Sequence, residues 1–476
     1  ATVLDSLSDD ERWASFEASL NRRTVRVYDL TPECIRIDST TASGYWKVSE
    51  EGLFQLGHSK DHRPDLPQLK VVLATLDPLG MPVATQVVAG DKADDPLYIP
   101  SIEQVRAGIE RRGLLYVGDS KMMSLETRAH LQAGNDYYLG PLSLTQVPQE
   151  ALESYLKPVW SGEQPVMSVE RQDAEGALEK IAEGYESQET LTAVINGQEV
   201  KWIERRLIVR SLAHAKAAEA ALRLRLEKAE RELKALNDRK QGKRRITDEP
   251  ALRQAIEAIL KQYQAEGWLD AQVTEQVQER QVRKYGDRPA ETRFEWQFFV
   301  SVQRNEVALQ QAIRCLGWRV YGTNAPPEML SLEQAVLAYR EEYLVEHNFG
   351  RLKGKPLSLI PMYLEDDQRA TGLTRLLSIG LRVLTLIEHV ARSQLTKAGE
   401  KLSGLYAGNP TRSTERPTTE AMLRVFKDIF LNFVQIGGQS YRHITPLSEL
   451  QIKILDLLNI PSSIYSALAI NSANPP

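Results

Sequence analysis

The chain has 476 residues, of which 42% are hydrophobic and 26% charged, with a formal net charge of -5. That length allows two or three domains and a sizeable core, the composition is ordinary for a soluble globular protein, and the charge gives no global signature of nucleic-acid binding. Cys34 and Cys315 lie far apart without CxxC spacing, which argues against a disulfide framework or a zinc site and fits a reducing compartment. No N-terminal signal pattern is present, so a cytoplasmic protein is expected. The chain opens on Ala1 rather than methionine, which reads as a processed or truncated product.

From residue 33 to about residue 140 the pattern is strand, strand, strand, helix, strand, helix, strand. "CIRIDSTTASGYW" (from Cys34) is the first strand. "LKVVLATLD" and "MPVATQVVA", joined by "PLG", read as an antiparallel hairpin. "SIEQVRAGIERR" is a helix with Ser101 as N-cap and Gln104 completing a capping box. The strand "LLYVGD" follows, then a helix from Ser124 to Gln132 and a short strand "DYYLG". Three strands, a crossover helix and a further parallel strand predict a mixed α/β sheet flanked by helices.

Next come short strands around the turn Asn196-Gly197, then a long helix from Ser211 to Leu236. In that helix Leu222, Leu226, Ala229, Leu233 and Leu236 form a heptad-like apolar seam. The run Arg239, Lys240, Lys243, Arg244 and Arg245 is a basic, exposed tail that could meet phosphates. Trp202, Trp296 and Trp318 are assigned to the core of this region. "SLEQAVLAYREEYLVEHNFGRLKGKP" is one helix, opened by a capping box (Ser331, Gln334) and stopped by Gly354 and Pro356. "GLTRLLSIGLRVLTLIEHV" (Gly372 to Val390) carries Arg375, Arg382 and Glu388 and reads as a buried helix, not a membrane span. Further helices run to the C-terminus, broken at 406–419 and 435–446.

Two apolar strands end on carboxylates, Asp38 in "RIDSTT" and Asp119 in "GDSKM". A third acidic candidate, Glu346, shares a helical stripe with Tyr339 and Lys353, each seven residues apart and so offset by only about 20°. Three converging carboxylates repel one another unless a cation lies among them. Oxygen-only ligands suit Mg²⁺, with Mn²⁺ able to substitute, better than zinc. Such ions can activate the attacking oxygen and stabilise the leaving oxygen of a phosphodiester. A two-carboxylate glycosidase would require neither the lysine stripe nor the middle segment.

The passages "RIDSTT", "GDSKM" and "YREEYLVEHNFGRLKG", in that order, resemble DDE-type insertion-sequence transposases. Within these the chain resembles the group whose RNase H-like core is interrupted by a β-rich insertion. The resemblance covers about residues 30 to 460. It implies Asp38, Asp119 and Glu346 as catalytic, metal-binding residues, with Lys353, Tyr339, Lys60, Arg63 and Lys121 as DNA contacts. The group's Tyr-x2-Arg-x3-Glu-x6-Lys signature is met by Tyr339, Glu346 and Lys353, but Glu342 stands where it has Arg. The implied division is an N-terminal remnant (1–32), a first core part (33–144), an insertion (145–325), a last core part (326–395) and a helical C-terminal region (396–476). The implied activity is cleavage at element ends and strand transfer, with Mg²⁺ as cofactor. The implied partners are double-stranded DNA, as terminal inverted repeats and target, and a second copy in a synaptic dimer, with no membrane. The setting would be the nucleoid of a bacterial cytoplasm. A truncated or domesticated derivative that binds DNA without transposing is the alternative.

Overall fold

The structure, a computed structural model, describes residues 2–172, 176–238, 248–282, 291–341, 343–436 and 439–469. The basic run from Arg239 to Arg245 and Glu342 lie outside the described residues.

Helices α1 (Thr2–Ser8) and α2 (Asp10–Val27) precede strands β1 (Cys34–Ser43), β2 (Gln68–Leu76) and β3 (Met81–Ala89). Helix α3 (Tyr98–Ile109), β4 (Leu115–Gly118), α4 (Leu125–Ala133) and β5 (Tyr137–Pro141) follow. β2 runs antiparallel to β1 and β3, whereas β4 is parallel to β1 and β5 to β4. This is the expected RNase H-like arrangement. Every residue of β2 is buried, as befits a strand covered on both faces. Ile37, Val72, Tyr98 and Ile102 belong to the core on the α3 side, and Val71, Leu73 and Phe349 to the core opposite. One boundary differs from expectation. α3 begins at Tyr98, because Pro100 fits a first turn whose N–H groups have no helical acceptor. Ser101 is therefore inside the helix, its hydroxyl donating to the Leu97 carbonyl (2.9 Å). Gln104 donates to Glu17 (3.1 Å) rather than closing a capping box.

The middle segment contains α5 (Gln149–Trp160), β6 (Met167–Gln172), β7 (Leu178–Ile195), β8 (Gln198–Ser211), α6 (Leu212–Ala235) and α7 (Glu249–Gln262). It continues with β9 (Leu269–Val282), β10 (Glu291–Arg304), α8 (Glu306–Cys315) and β11 (Trp318–Thr323). The large sheet has nine strands in the order β3-β2-β1-β4-β5-β11-β8-β7-β6, so this segment extends the core sheet. β7 and β8 meet at Asn196-Gly197, both with positive φ as a tight hairpin turn requires. They have 18 and 14 residues and are not short. The expected seam of α6 is present: Leu222, Leu226 and Leu233 pack with Leu252, Ile256, Val300 and Leu309 from α7, β10 and α8. This unit leaves the sheet at Ser211 and rejoins it at Gly317, and the Ser211 amide donates to the Gly317 carbonyl (2.9 Å). Trp202 and Trp318 are buried, but Trp296 is 54% exposed. It lies on β10 beyond Phe298 and Val300, where the helices no longer cover the ribbon.

The chain returns through α9 (Leu332–Arg340), α10 (Tyr343–Lys353) and α11 (Asp367–Ala398). The Ser331–Gln334 capping box forms. The single helix expected from Ser331 does not, so Tyr339 stands on a different helix from Glu346 and Lys353. The two halves answer to different surfaces. Arg340 donates to the Ile181 carbonyl (3.0 Å) and Ser211 (3.2 Å), whereas Val345, Phe349 and Leu352 of α10 pack beneath β2.

α11 is long and apolar enough to cross a membrane by composition, yet its buried charges Arg375, Arg382 and Glu388 find partners within the protein. Arg375 donates to the carbonyls of Leu7 (2.9 Å) and Ser8 (3.1 Å) and pairs with Asp10. Arg382 donates to Asn21 (2.7 Å), and Glu388 pairs with Arg351 and Arg392. It is a core helix, as the sequence suggested. Beyond it, the break expected at 435–446 contains part of a hairpin, Leu431–Ile436 with Gln439–Ile444, flanked by exposed Phe430.

α2 buries Glu17 close to Arg382. Burial pushes the Glu17 carboxyl up to about 8 despite the opposing Arg382, and burial holds Arg382 down to about 10. An unfolded glutamate titrates near 4.5, so between these values the folded state holds the extra proton. The stability from this group is then full below about 4.5 and is lost as pH rises towards 8. Urea midpoints measured between pH 5 and 8.5 should fall more steeply in the wild type than in Glu17→Gln. Equal slopes would clear Glu17 as the source.

Candidate active site

β1 and β4 are parallel neighbours, and Ile37 is in register with Gly118. The next residues, Asp38 and Asp119, therefore stand side by side at the end of β4, on strands about 4.8 Å apart. Strands buried on both faces deliver carboxylates here because rigid supports fix where each carboxylate stands. Asp38 Oδ1 accepts from the Ser39 amide (2.7 Å) and the Lys60 ammonium (3.2 Å). Asp119 Oδ1 accepts from the Tyr98 hydroxyl (2.7 Å) and the amides of Lys121 (2.9 Å) and Met122 (3.3 Å). Burial pushes the Asp38 carboxyl upward, Lys60 opposes it, and the Asp119 charge adds to the rise. Burial, then Asp119, pushes the Tyr98 hydroxyl up as well, so it stays a donor.

Glu346 is not part of that pair. It lines a cavity of about 350 Å³ together with Leu207, Arg319, Tyr321 and Tyr339. Its neighbour Val345 lines the narrow crevice of Asp38, with Ile37 and Gly118. Tyr339 borders both spaces, its ring edge-on to Tyr321 at 4.9 Å. Among the described residues no three His, Cys, Asp or Glu side chains converge as a ready-made metal site. The structure thus pairs Asp38 with Asp119 and sets Glu346 in the adjoining wall.

The expected cations divide into two groups. Lys353 reaches β1, donating to Thr40 Oγ1 (3.0 Å) and the Thr41 carbonyl (3.2 Å) and pairing with Asp61 (2.6 Å). Lys60 also donates to the Ser39 carbonyl (2.7 Å). Arg63 is exposed and grips Asp65 with two bonds (2.9 and 2.8 Å). Lys121 is exposed, 3.8 Å from Asp95.

Sequence reasoning missed Asp94. Its Oδ1 accepts from Ser39 Oγ (3.0 Å) and Lys70 Nζ (2.7 Å), and its Oδ2 lies 3.9 Å from Lys60. Burial works upward on this carboxyl, but Lys70 and Lys60 together hold it below its usual range. It lies between Asp91 and Asp95 in a segment without apolar periodicity, so no sequence pattern marks it. Tyr98, which fixes Asp119, was likewise not singled out.

The donors of the paired aspartates are oxygens only, the set a hard divalent ion takes. Asp38, pushed towards its neutral form by burial, gains most from a cation beside it. The residues present fit such an ion.

The sheet order, with an aspartate at the end of β4 and another beside it on β1, is that of an RNase H-like core. Within that class the chain belongs to the transposase DDE domain family, whose model matches residues 29–379. No curated protein matches the chain. Among solved structures, a piggyBac transposase synaptic complex with hairpin DNA aligns at 10% identity with a TM-score of 0.22. That alignment covers 78% of this chain and 59% of the piggyBac chain, and the family assignment rests on the domain model alone.

Proposed function

We propose that the protein is a DNA transposase that cuts DNA at element ends and joins them to target DNA. Asp38, Asp119 and Glu346 are its catalytic carboxylates. The observation that carries this reading is the register of β1 and β4, which sets Asp38 beside Asp119 inside the matched family domain. When bound, Mg²⁺ or Mn²⁺ would supply charge neutralisation for the attacking and leaving oxygens of a phosphodiester. Asp38 and Asp119 would hold the ion, and Glu346, which lines the adjoining cavity, would complete the set by turning towards them. Tyr98 fixes Asp119 Oδ1, which orients the other carboxylate oxygen. Arg63 and Lys121 meet backbone phosphates, where contacts position DNA without reading its sequence. Lys60 and Lys353 join them from beside the carboxylates, and Tyr339 positions the substrate between the two spaces. The substrates are duplex terminal repeats and target DNA, brought together by two copies of the chain in a bacterial cytoplasm.

The test is strand transfer with fragments carrying the native flanks of the coding region, in Mg²⁺ and in Mn²⁺. Joined products that need the metal are the expected result. Product from pre-nicked ends alone would place the defect in end cleavage. No product in either format would sink the proposal in favour of a derivative that only binds DNA.

A further inference from the structure

We infer that the consecutive residues Lys60 and Asp61 form a clasp that ties the Asp38 strand to the Glu346 helix and competes with the divalent ion for Asp38. The inference rests on the reading of Asp38 as an ion ligand.

The two side chains carry opposite charges and take opposite partners on different elements. Lys60 places its ammonium on Asp38 Oδ1 (3.2 Å) and the Ser39 carbonyl (2.7 Å), both on β1. Asp61 places Oδ1 on the Lys353 ammonium (2.6 Å), at the end of α10. The loop between them is held in shape. The Lys60 amide donates to Thr41 Oγ1 (3.0 Å), and Ser59 Oγ accepts from the amides of Asp61 and Arg63 (3.2 Å each). One turn of chain thus reaches the strand bearing the first aspartate and the helix bearing the glutamate. Asp61 Oδ2 is buried without a hydrogen-bond partner, so the Lys353 pairing is the main tie that anchors this side chain.

The Lys60–Asp38 pair is partly screened, with side chains 29% and 22% exposed. Such pairs are weak, and a divalent ion held by Asp38 and Asp119 would displace one. Lys60 has somewhere to go, because Asp94 Oδ2 lies 3.9 Å from its ammonium. Ion entry therefore shifts Lys60 from Asp38 towards Asp94 and pulls on the turn whose other end is fixed by Lys353. DNA that draws Lys353 onto a phosphate frees Asp61 and makes that shift easier. The clasp couples filling of the ion site to arrival of the substrate.

The experiment is Mn²⁺ binding to the full chain without DNA, read from the electron paramagnetic resonance signal of free Mn²⁺. Wild type is compared with Asp38→Asn, Lys60→Met and Asp61→Asn. Asp38→Asn should lose most of the binding, and Lys60→Met should bind about two- to fivefold tighter, the scale of a partly exposed ion pair. Asp61→Asn decides the matter. Removing a negative charge near the ion would, by Coulomb's law alone, weaken binding. The clasp predicts the opposite sign, because the turn loses its anchor and lets Lys60 go. Unchanged or weaker binding in Asp61→Asn, or no gain in Lys60→Met, overturns the inference while the reading of Asp38 stands. Binding indifferent to Asp38→Asn defeats that reading and the clasp with it. Asp61→Ser removes the same anchor and must show the same sign if the asparagine variant does not fold.

Discussion

Asp119→Asn should lower strand cleavage and joining by at least about 10²–10³-fold, the scale on which one preorganised charged group registers in catalysis. Asparagine is the sharper substitution. Its carbonyl can still accept from Tyr98 and from the amides of Lys121 and Met122, so the turn after β4 survives and only the charge is lost. Alanine removes the acceptor too, leaving the buried Tyr98 hydroxyl unpaired at a cost of about 1–3 kcal/mol in stability. Affinity for duplex DNA at fixed salt should not weaken in either variant, because that affinity comes from lysine and arginine at phosphates. An asparagine variant that still joined strands would remove Asp119 from the site.

Glu204→Leu should be the most damaging single change to the fold. Glu204 is fully buried on β8 and accepts from Arg128 (2.5 Å) and the Tyr138 hydroxyl (2.6 Å) through one oxygen. Its other oxygen lies 2.8 Å from Arg206 Nε. Trp202 donates to the same Tyr138 hydroxyl (2.8 Å). Leucine leaves Arg128 buried without its charge partner and strips Arg206 of one of two, the other being Glu189. Breaking a buried pair from one side costs about 3–5 kcal/mol. The lowered urea midpoint is the readout, and Arg128→Met combined with Glu204→Leu should recover part of it. Losses that simply add would show that the pair is not coupled.

The surroundings of Glu204 also show where the sequence stops being legible. Strands β1 to β5 could be read because their apolar runs end in clear turn signals. Glu204, Arg205 and Arg206 are consecutive charges in a buried stretch of β8, and one-dimensional patterning sends such a run to solvent. Tertiary partners make their burial tolerable: Arg128 and Tyr138 for Glu204, Glu186 and the carbonyls of Ala325 and Leu330 for Arg205, and Glu189 with Glu204 for Arg206. The end of α9 was hidden too. Arg340 and Glu341 are good helix formers, so no residue in the sequence marks the end of the helix at Arg340. The hairpin from Leu431 to Ile444 was missed differently. Its two strands, Leu431–Ile436 and Gln439–Ile444, carry no strict alternation, and the stretch from Gln435 was read only as a helix break. At the site, Asp119 does end the apolar run of β4, whereas Asp38, expected at a strand end, stands in the middle of β1, which continues to Ser43 along β2, and Asp94 sits in a loop where no periodicity marks it.

The neighbouring exit and return at Ser211 and Gly317 give the unit from α6 to α8 the character of a cassette. Arg210 and Trp318 already face each other in the ladder of β8 and β11, so a short turn could join those strands directly. Everything that pairs Asp38 with Asp119 lies outside the excised residues 212–316. Such an appendage could be gained or exchanged without disturbing the pairing of β1 with β4. By the same logic, a chain shortened at that junction should keep the pairing of Asp38 with Asp119.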